Sequence, residues 1–279
     1  MSEQNKEPSE NKVSETINAV TGLVKTVPVY TDTIQPAAKE IGKTLETVAK
    51  TVNVALFPLK ALVWSFEKLQ IFIDTKVSEK LKNTPESEIK TPKSNIVVPA
   101  LQALSYSGDE PELQELFANL IASSMDNHTS NFVHPSFVET IKQLTPDEAK
   151  ILRYISKEAN LPTITIRSES SNLQEGGWDM YRHVSLFGEK AFCVNPHLTS
   201  VALDNFIRLG IIEIRKDYSY TEKKIYSELM DDKEVKEVIE NINKTEGRKV
   251  RIVEEMVIIT DFGRQFINIC VTDHIEHRK

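Results

Sequence analysis

Apolar side chains recur every three or four residues at Ile41, Leu45, Val48, Val52, Leu56, Leu59, Val63, Phe66, Leu69, Ile73, Val77 and Leu81, the spacing at which one face of an α-helix repeats. The run lasts about eleven turns. Within it Val54 to Trp64, VALFPLKALVW, holds nine apolar residues with Pro58 and Lys60, so the helix is apolar nearly all round and must bury itself in something. Pro58 should kink it or split it in two. A membrane-spanning helix needs about 20 such residues. This run is about half that length, which favours the central helix of a helical bundle. A helix rich in Ala, Val and Thr with a Trp and Phe cluster also suits a membrane interface. Leu56, Phe57, Leu59, Leu62, Val63, Trp64 and Phe66 therefore form the candidate membrane or partner surface.

The rest of the chain organises around this segment. Residues 1–12 are polar with charges of both signs and read as a disordered tail without a secretory h-region. Residues 13–144 read as a helical domain in which 83–99, with Pro85, Pro92 and Pro99, is linker-like. A short helix is expected over Ala100–Tyr106, then one from Asp109 and Pro111 to Met125, then one opening at His134-Pro135-Ser136-Phe137. Thr145-Pro146-Asp147-Glu148 gives the next helix an N-cap, a first-position proline and acidic residues in its first turn. Beyond it, strands are expected at Leu161–Ile166, Ile211–Ile214 and Val250–Thr260. Helices are expected at Pro196–Leu209 with Gly210 as the C-terminal cap, at about Lys223–Asn243, and at Asp261–Thr272. The fold class that follows is mainly α with a C-terminal α+β part over 145–279.

Composition narrows the function. Lys+Arg number 34 against Asp+Glu 41, a net charge of −7, which weighs against a nucleic-acid coat or a polybasic membrane anchor. Cys193 and Cys270 sit among apolar neighbours and read as reduced core thiols, which points to a cytoplasmic protein. Metal ligation is not expected. His128 and His134 lack the one-turn spacing of helical ligands, Asp126 brings no third ligand within reach, and His274 and His277 lie at the terminus. Gly176-Gly177 is no phosphate-binding loop, and the Ser, His and Asp residues follow no nucleophile-elbow pattern. No catalytic residue, metal or cofactor is assigned.

LTPDEAKILRYI, LDNFIRLGIIEI and VIITDFGRQFINIC together resemble a winged-helix module. That resemblance puts the Thr199–Leu209 helix in the recognition position and gives Arg208, Arg248, Lys249 and Arg251 as candidate contacts. Their setting is poor for DNA, because residues 145–279 carry 20 Lys+Arg against 23 Asp+Glu, a net of −3. Winged-helix folds also bind proteins. QPAAKEIGK, LFANLIASSMD and VHPSFVETIKQL resemble the bacterial abortive infection alpha family, most clearly over Val27–Leu152. The resemblance implies phage defence in which the infected cell is disabled, and it carries over no catalytic residues. The expected protein is non-enzymatic, with a protein or phage component as its partner, conditional membrane association on activation, and self-association left open. A winged-helix DNA-binding regulator is the alternative.

Overall fold

The computed structural model describes residues 66–172 and 175–278. The apolar run Val54–Trp64 lies outside the described residues, and with it six of the seven candidate surface positions; the seventh, Phe66, opens the first helix. That helix, α1 (Phe66–Phe72), continues through a π-helical turn, Ile73–Val77, into Ser78–Leu81. Leu69, Ile73, Val77 and Leu81 are buried as their spacing predicts.

The segment expected as a linker, 83–99, is partly helical. After a 3-10 turn at Glu86–Glu88, α2 starts at Ser94 and runs to Ser107 with Pro99 inside it. Pro99 costs one hydrogen bond, to the carbonyl of Asn95. The stripe Ile96, Val97, Ala100, Leu101 and Leu104 is buried along the same helix, and burial at about 1.5–3 kcal/mol per large aliphatic side chain outweighs one lost bond.

Next comes α3 (Pro111–Met125). Every residue from Leu116 to Met125 is buried, which makes it the central helix of the described residues. Helix α4 is Ser136–Ile141 and α5 is Pro146–Ile155. Thr145 caps α5 in a reciprocal box: its hydroxyl accepts from the Glu148 amide at 3.2 Å, and its own amide donates to Glu148 Oε2 at 2.7 Å.

Four strands follow, β1 (Pro162–Ser170), β2 (Gly177–Val184), β3 (Ile212–Arg215) and β4 (Arg248–Ile259), in one antiparallel sheet of order β2-β1-β4-β3. Thr165 pairs with Val253 and Ile214 with Val257. Between β2 and β3 lie α6 (Phe187–Lys190), a 3-10 turn at Pro196–Leu198, and α7 (Thr199–Arg208). Gly210 follows α7 at φ +72°, a left-handed cap that glycine adopts without a Cβ penalty.

The single helix expected over 223–243 is two, α8 (Lys224–Asp231) and α9 (Lys233–Lys244). Asp232 breaks it, because its carboxylate accepts from the Glu234 and Val235 amides and caps α9. The pair covers one face of the sheet, where Ile164 and Ile166 meet Tyr226, Leu229, Val235 and Ile242. The chain closes with α10 (Asp261–Phe266), a π-helical turn Ile267–Val271, and a 3-10 turn His274–Arg278. One hydrophobic core runs from Leu69 through Phe117, Phe137 and Leu152 to Phe206, Phe266 and Val271. It crosses residue 144/145, where a domain boundary was expected. Among the described residues no helix is long and apolar enough to cross a membrane.

Candidate functional site

The three most exposed large apolar side chains among the described residues lie on the loop between α6 and α7 and on α7 itself. Phe192 is 88% exposed, Val194 79% and Val201 62%. Asp147, on the first turn of α5, holds this loop: its two carboxylate oxygens accept the backbone amides of Val194 and Asn195, each at 2.9 Å. Burial alone would raise the Asp147 pKa, but these amides and Lys150 hold it below the usual carboxylate range. The loop therefore keeps a fixed anionic anchor. Phe192 takes φ 54°, a left-handed conformation that costs a bulky residue about 1–2 kcal/mol. Such cost persists where the surroundings impose it.

Neighbouring elements fix the frame. Gly188 is closed in so tightly that a Cβ there would stand 2.2 Å from Thr199 Oγ1 and 2.9 Å from the Pro196 backbone. Helix α6 thus packs directly on the turn that starts α7. Asn205 of α7 donates to Glu148 of α5 at 2.8 Å and to the Gln143 carbonyl at 3.0 Å. Cys193, expected as a core thiol, is half-buried in this loop between two exposed side chains. Burial and the Asp147 charge push its thiol up to about 11, so it stays protonated and poorly nucleophilic. Cys270 is fully buried, as expected.

The end of β2 that feeds this surface is rooted in a buried polar cluster. Glu255, on β4, is fully buried and accepts from Thr165 at 3.0 Å and Thr163 at 3.3 Å, with His183 Nδ1 at 3.2 Å. Desolvation would raise its pKa, yet the His183 and Thr165 hydrogen bonds hold it below the ordinary value. His183, in β2, has φ 52° and reaches Glu255 where the β1–β2 register shifts.

Three of the four candidate cations are engaged within the fold. Arg208 donates to Gln143 Oε1 at 2.8 Å and to Asn205 Oδ1 at 2.6 Å. Arg248, Lys249 and Arg251 lie in the paired strand β4, opposite Ser170, Glu169 and Arg167. The Arg248 guanidinium stacks 3.5 Å above the centre of the Trp178 ring, and Arg251 pairs with Glu169 at 3.1 Å. Lys249 is exposed on the same strand. The structure does not gather the four into one basic patch.

One hydroxyl–imidazole–carboxylate series appears elsewhere. Ser123 Oγ lies 3.1 Å from His274 Nδ1, and His274 Nε2 lies 3.2 Å from Asp126 Oδ2. Sequence reading missed it because Asp126 and His274 are 148 residues apart. All three side chains are fully buried, so no substrate reaches the hydroxyl as a nucleophile requires. Burial drives the His274 pKa down to about 4, which leaves the ring neutral. Asp126 is also bound by Arg278 and Thr84, and Asn119 accepts the His274 amide. The series ties the C-terminal turn to α3.

The abortive infection alpha family model matches residues 66–270. The chain belongs to the abortive infection alpha family. Membership of the abortive infection alpha family gives it a role of the abortive-infection, phage-defence type. No curated protein matches it. An uncharacterized protein from the hydrocarbon-degrading marine bacterium Alcanivorax borkumensis SK2 aligns at 18% identity over 52% of this chain and 96% of its own, with a TM-score of 0.34, too low to bear on the fold.

Proposed function

We propose that this family member is a non-enzymatic, cytoplasmic defence protein that docks a protein partner made during infection through the loop between α6 and α7 and the outer face of α7. The observation that carries the reading is Phe192: a bulky aromatic held 88% exposed in a left-handed conformation by an anchored loop. A fold dominated by burial would turn that ring inward, and exposed aromatics beside other apolar residues mark contact surfaces. The buried position of Ser123, His274 and Asp126 supports an anchoring role for them. The order α5, β1, α7, β3, β4, with β4 between β1 and β3, supports a winged-helix-derived module into which β2 and the α8–α9 pair are inserted.

In this reading the N-terminal segment delivers the effect, with Leu56 to Phe66 meeting the membrane once the partner is engaged. The decisive test is plaque formation on cells expressing the full chain. Phe192→Asp with Val201→Asp should abolish protection while the urea unfolding midpoint does not fall, since both positions are exposed; retained protection overturns the docking surface. The membrane step is tested by floating the full chain on anionic and neutral liposomes. Co-flotation that survives high salt supports it, and a chain left at the bottom of the gradient with or without phage lysate overturns it.

A further inference from the structure

The chain from α1 through Leu81 runs alongside α3 in the same direction, which fixes where residues outside the described part join the fold. Lys76 and Lys80 both reach Glu115, at 2.6 and 2.8 Å, whereas Thr84 bonds Asp126, beyond the other end of α3, at 3.2 Å. Traced backwards from Lys76, the chain therefore passes the N-terminal end of α3 before it reaches Phe66. The docking loop stands at that same end. Glu112, one turn before Glu115, pairs with Lys150 at 3.6 Å, and Lys150 pairs with Asp147 at 3.3 Å. Asp147 in turn holds the amides of Val194 and Asn195. A series of ion pairs across the first turns of α3 thus links the helix that follows the N-terminal segment to the loop that displays Phe192.

Directly before Phe66 stands Val54–Trp64, the apolar run that needs a surface to lie against. Its reach is sufficient. The α1–Leu81 stretch packs on α3 and α3 packs on α5, and packed helices lie about 8–10 Å apart, so about 20 Å separates α1 from the loop held by the first turn of α5. Residues 54–65 span about 18 Å as a helix and about 40 Å when extended. At that distance Phe192, Val194, Leu198 and Val201 offer exposed apolar side chains. A segment tethered this closely acts at an effective concentration on the order of millimolar. Four apolar side chains can then hold it where they would hold a separate molecule only weakly.

We propose that residues 54–64 lie against Phe192, Val194, Leu198 and Val201 in the uninfected cell, so that the chain's own N-terminal segment occupies the docking surface until the partner made during infection displaces it. This rests on the docking reading and supplies its regulation: one surface holds the segment or the partner, and engagement of the partner frees the segment.

The test places a nitroxide on Lys60→Cys, the one charged position of the run, in the ¹⁵N-labelled full chain carrying Cys193→Ser. Cys270 is fully buried, and Cys193 donates only to the Asp147 carbonyl, a bond that serine can also make. The label should selectively broaden the amides of Val194, Leu198 and Val201. Phe192→Asp with Val201→Asp should reduce that broadening severalfold, because a carboxylate cannot be buried against an apolar segment without losing its water. Leu56→Asp with Leu59→Asp, which changes the segment and leaves the surface intact, should do the same. Absence of selective broadening overturns the proposal, and so does broadening that both pairs of substitutions leave undiminished. A mixture of unenriched spin-labelled chain with ¹⁵N-labelled chain lacking the nitroxide should show no such broadening; equal broadening there assigns the surface to a second copy and also overturns the proposal. The two readings fail separately. Retained protection by the Phe192 and Val201 variant removes the docking of the partner and leaves the broadening standing, whereas absent broadening beside lost protection removes the contact within the chain alone.

Discussion

His274 is a buried base whose protonation the fold resists. Its folded pKa of about 4 lies below the ordinary 6.5 because burial disfavours the imidazolium, and the attraction of Asp126 offsets this only in part. Between those two values the unfolded chain binds more protons, so stability rises with pH there; it is fully present above 6.5 and lost as pH falls toward 4. The depression corresponds to about 3 kcal/mol. Urea unfolding at pH 7 and pH 4.5 should show most of that loss, and His274→Asn should flatten the slope while lowering stability at pH 7. A slope unchanged in that variant would place the titration elsewhere. Phe192 gives the opposite kind of prediction. Phe192→Gly relieves a left-handed backbone and should raise stability by up to about 1 kcal/mol, net of the flexibility glycine adds to the unfolded chain. The same change should weaken protection against phage, the sign of a residue kept for contact.

Local signals at the level of elements decide which parts of the fold the sequence discloses. Thr145→Ala should cost about 1 kcal/mol by removing one half of the capping box. Measured by urea unfolding, a change under about 0.3 kcal/mol would mean that the pairing of Glu148 with Asn205 holds α5 unaided. Gly188→Ala should cost more, because its Cβ would meet Thr199 Oγ1 and the Pro196 backbone. Nuclear magnetic resonance should then show α7 shifted along with the loop at Phe192. Helix α5 is legible in sequence because cap, first-position proline and stripe agree along one short stretch; α3 is legible from its stripe and Pro111, and α7 from its stripe and Gly210, while the N-cap expected at Asp109 falls instead on Glu110, whose side chain caps nothing. Strand β2 is not: GWDMYRHV places Trp178 and Met180 on its exposed side, so its identity comes from pairing with β1. The α8–α9 break was hidden because an amphipathic pattern runs through Asp232, whose capping role only the turn reveals. Val54–Trp64, the strongest apolar signal of the chain, lies outside the described residues.

For the whole molecule, the decisive feature is a core that ignores the change in sequence texture at residue 145. Asn119 of α3 donates to the Cys270 carbonyl at 3.0 Å, Ser123 lies under Ile269 and His274, and Lys80 pairs with Asp273 at 2.9 Å. The last turn of the chain is therefore part of the helical half, although the sheet and its helices precede it. A fragment of residues 145–279 would expose the apolar faces of α5 and of the Ile267–Val271 turn, and would leave the Cys270 and Ile269 carbonyls without their side-chain donors. It should stay unfolded or aggregate, which dispersion of its proton–nitrogen spectrum would show. A well-dispersed spectrum would show an independent C-terminal domain. Removing Thr272–Lys279 alone should be destabilising for the same reason, since Asp126 would lose Arg278 and His274 together and remain as a buried, uncompensated charge; breaking such a pair costs about 3–5 kcal/mol. If docking at Phe192 is to be felt at α1, this shared core, which includes Leu69 and Phe206, is the physical route between them. Partner binding should then slow hydrogen exchange in α3 and α1 as well as in α7, while a chain whose protection changes at α7 alone would show the two ends acting without coupling through the fold.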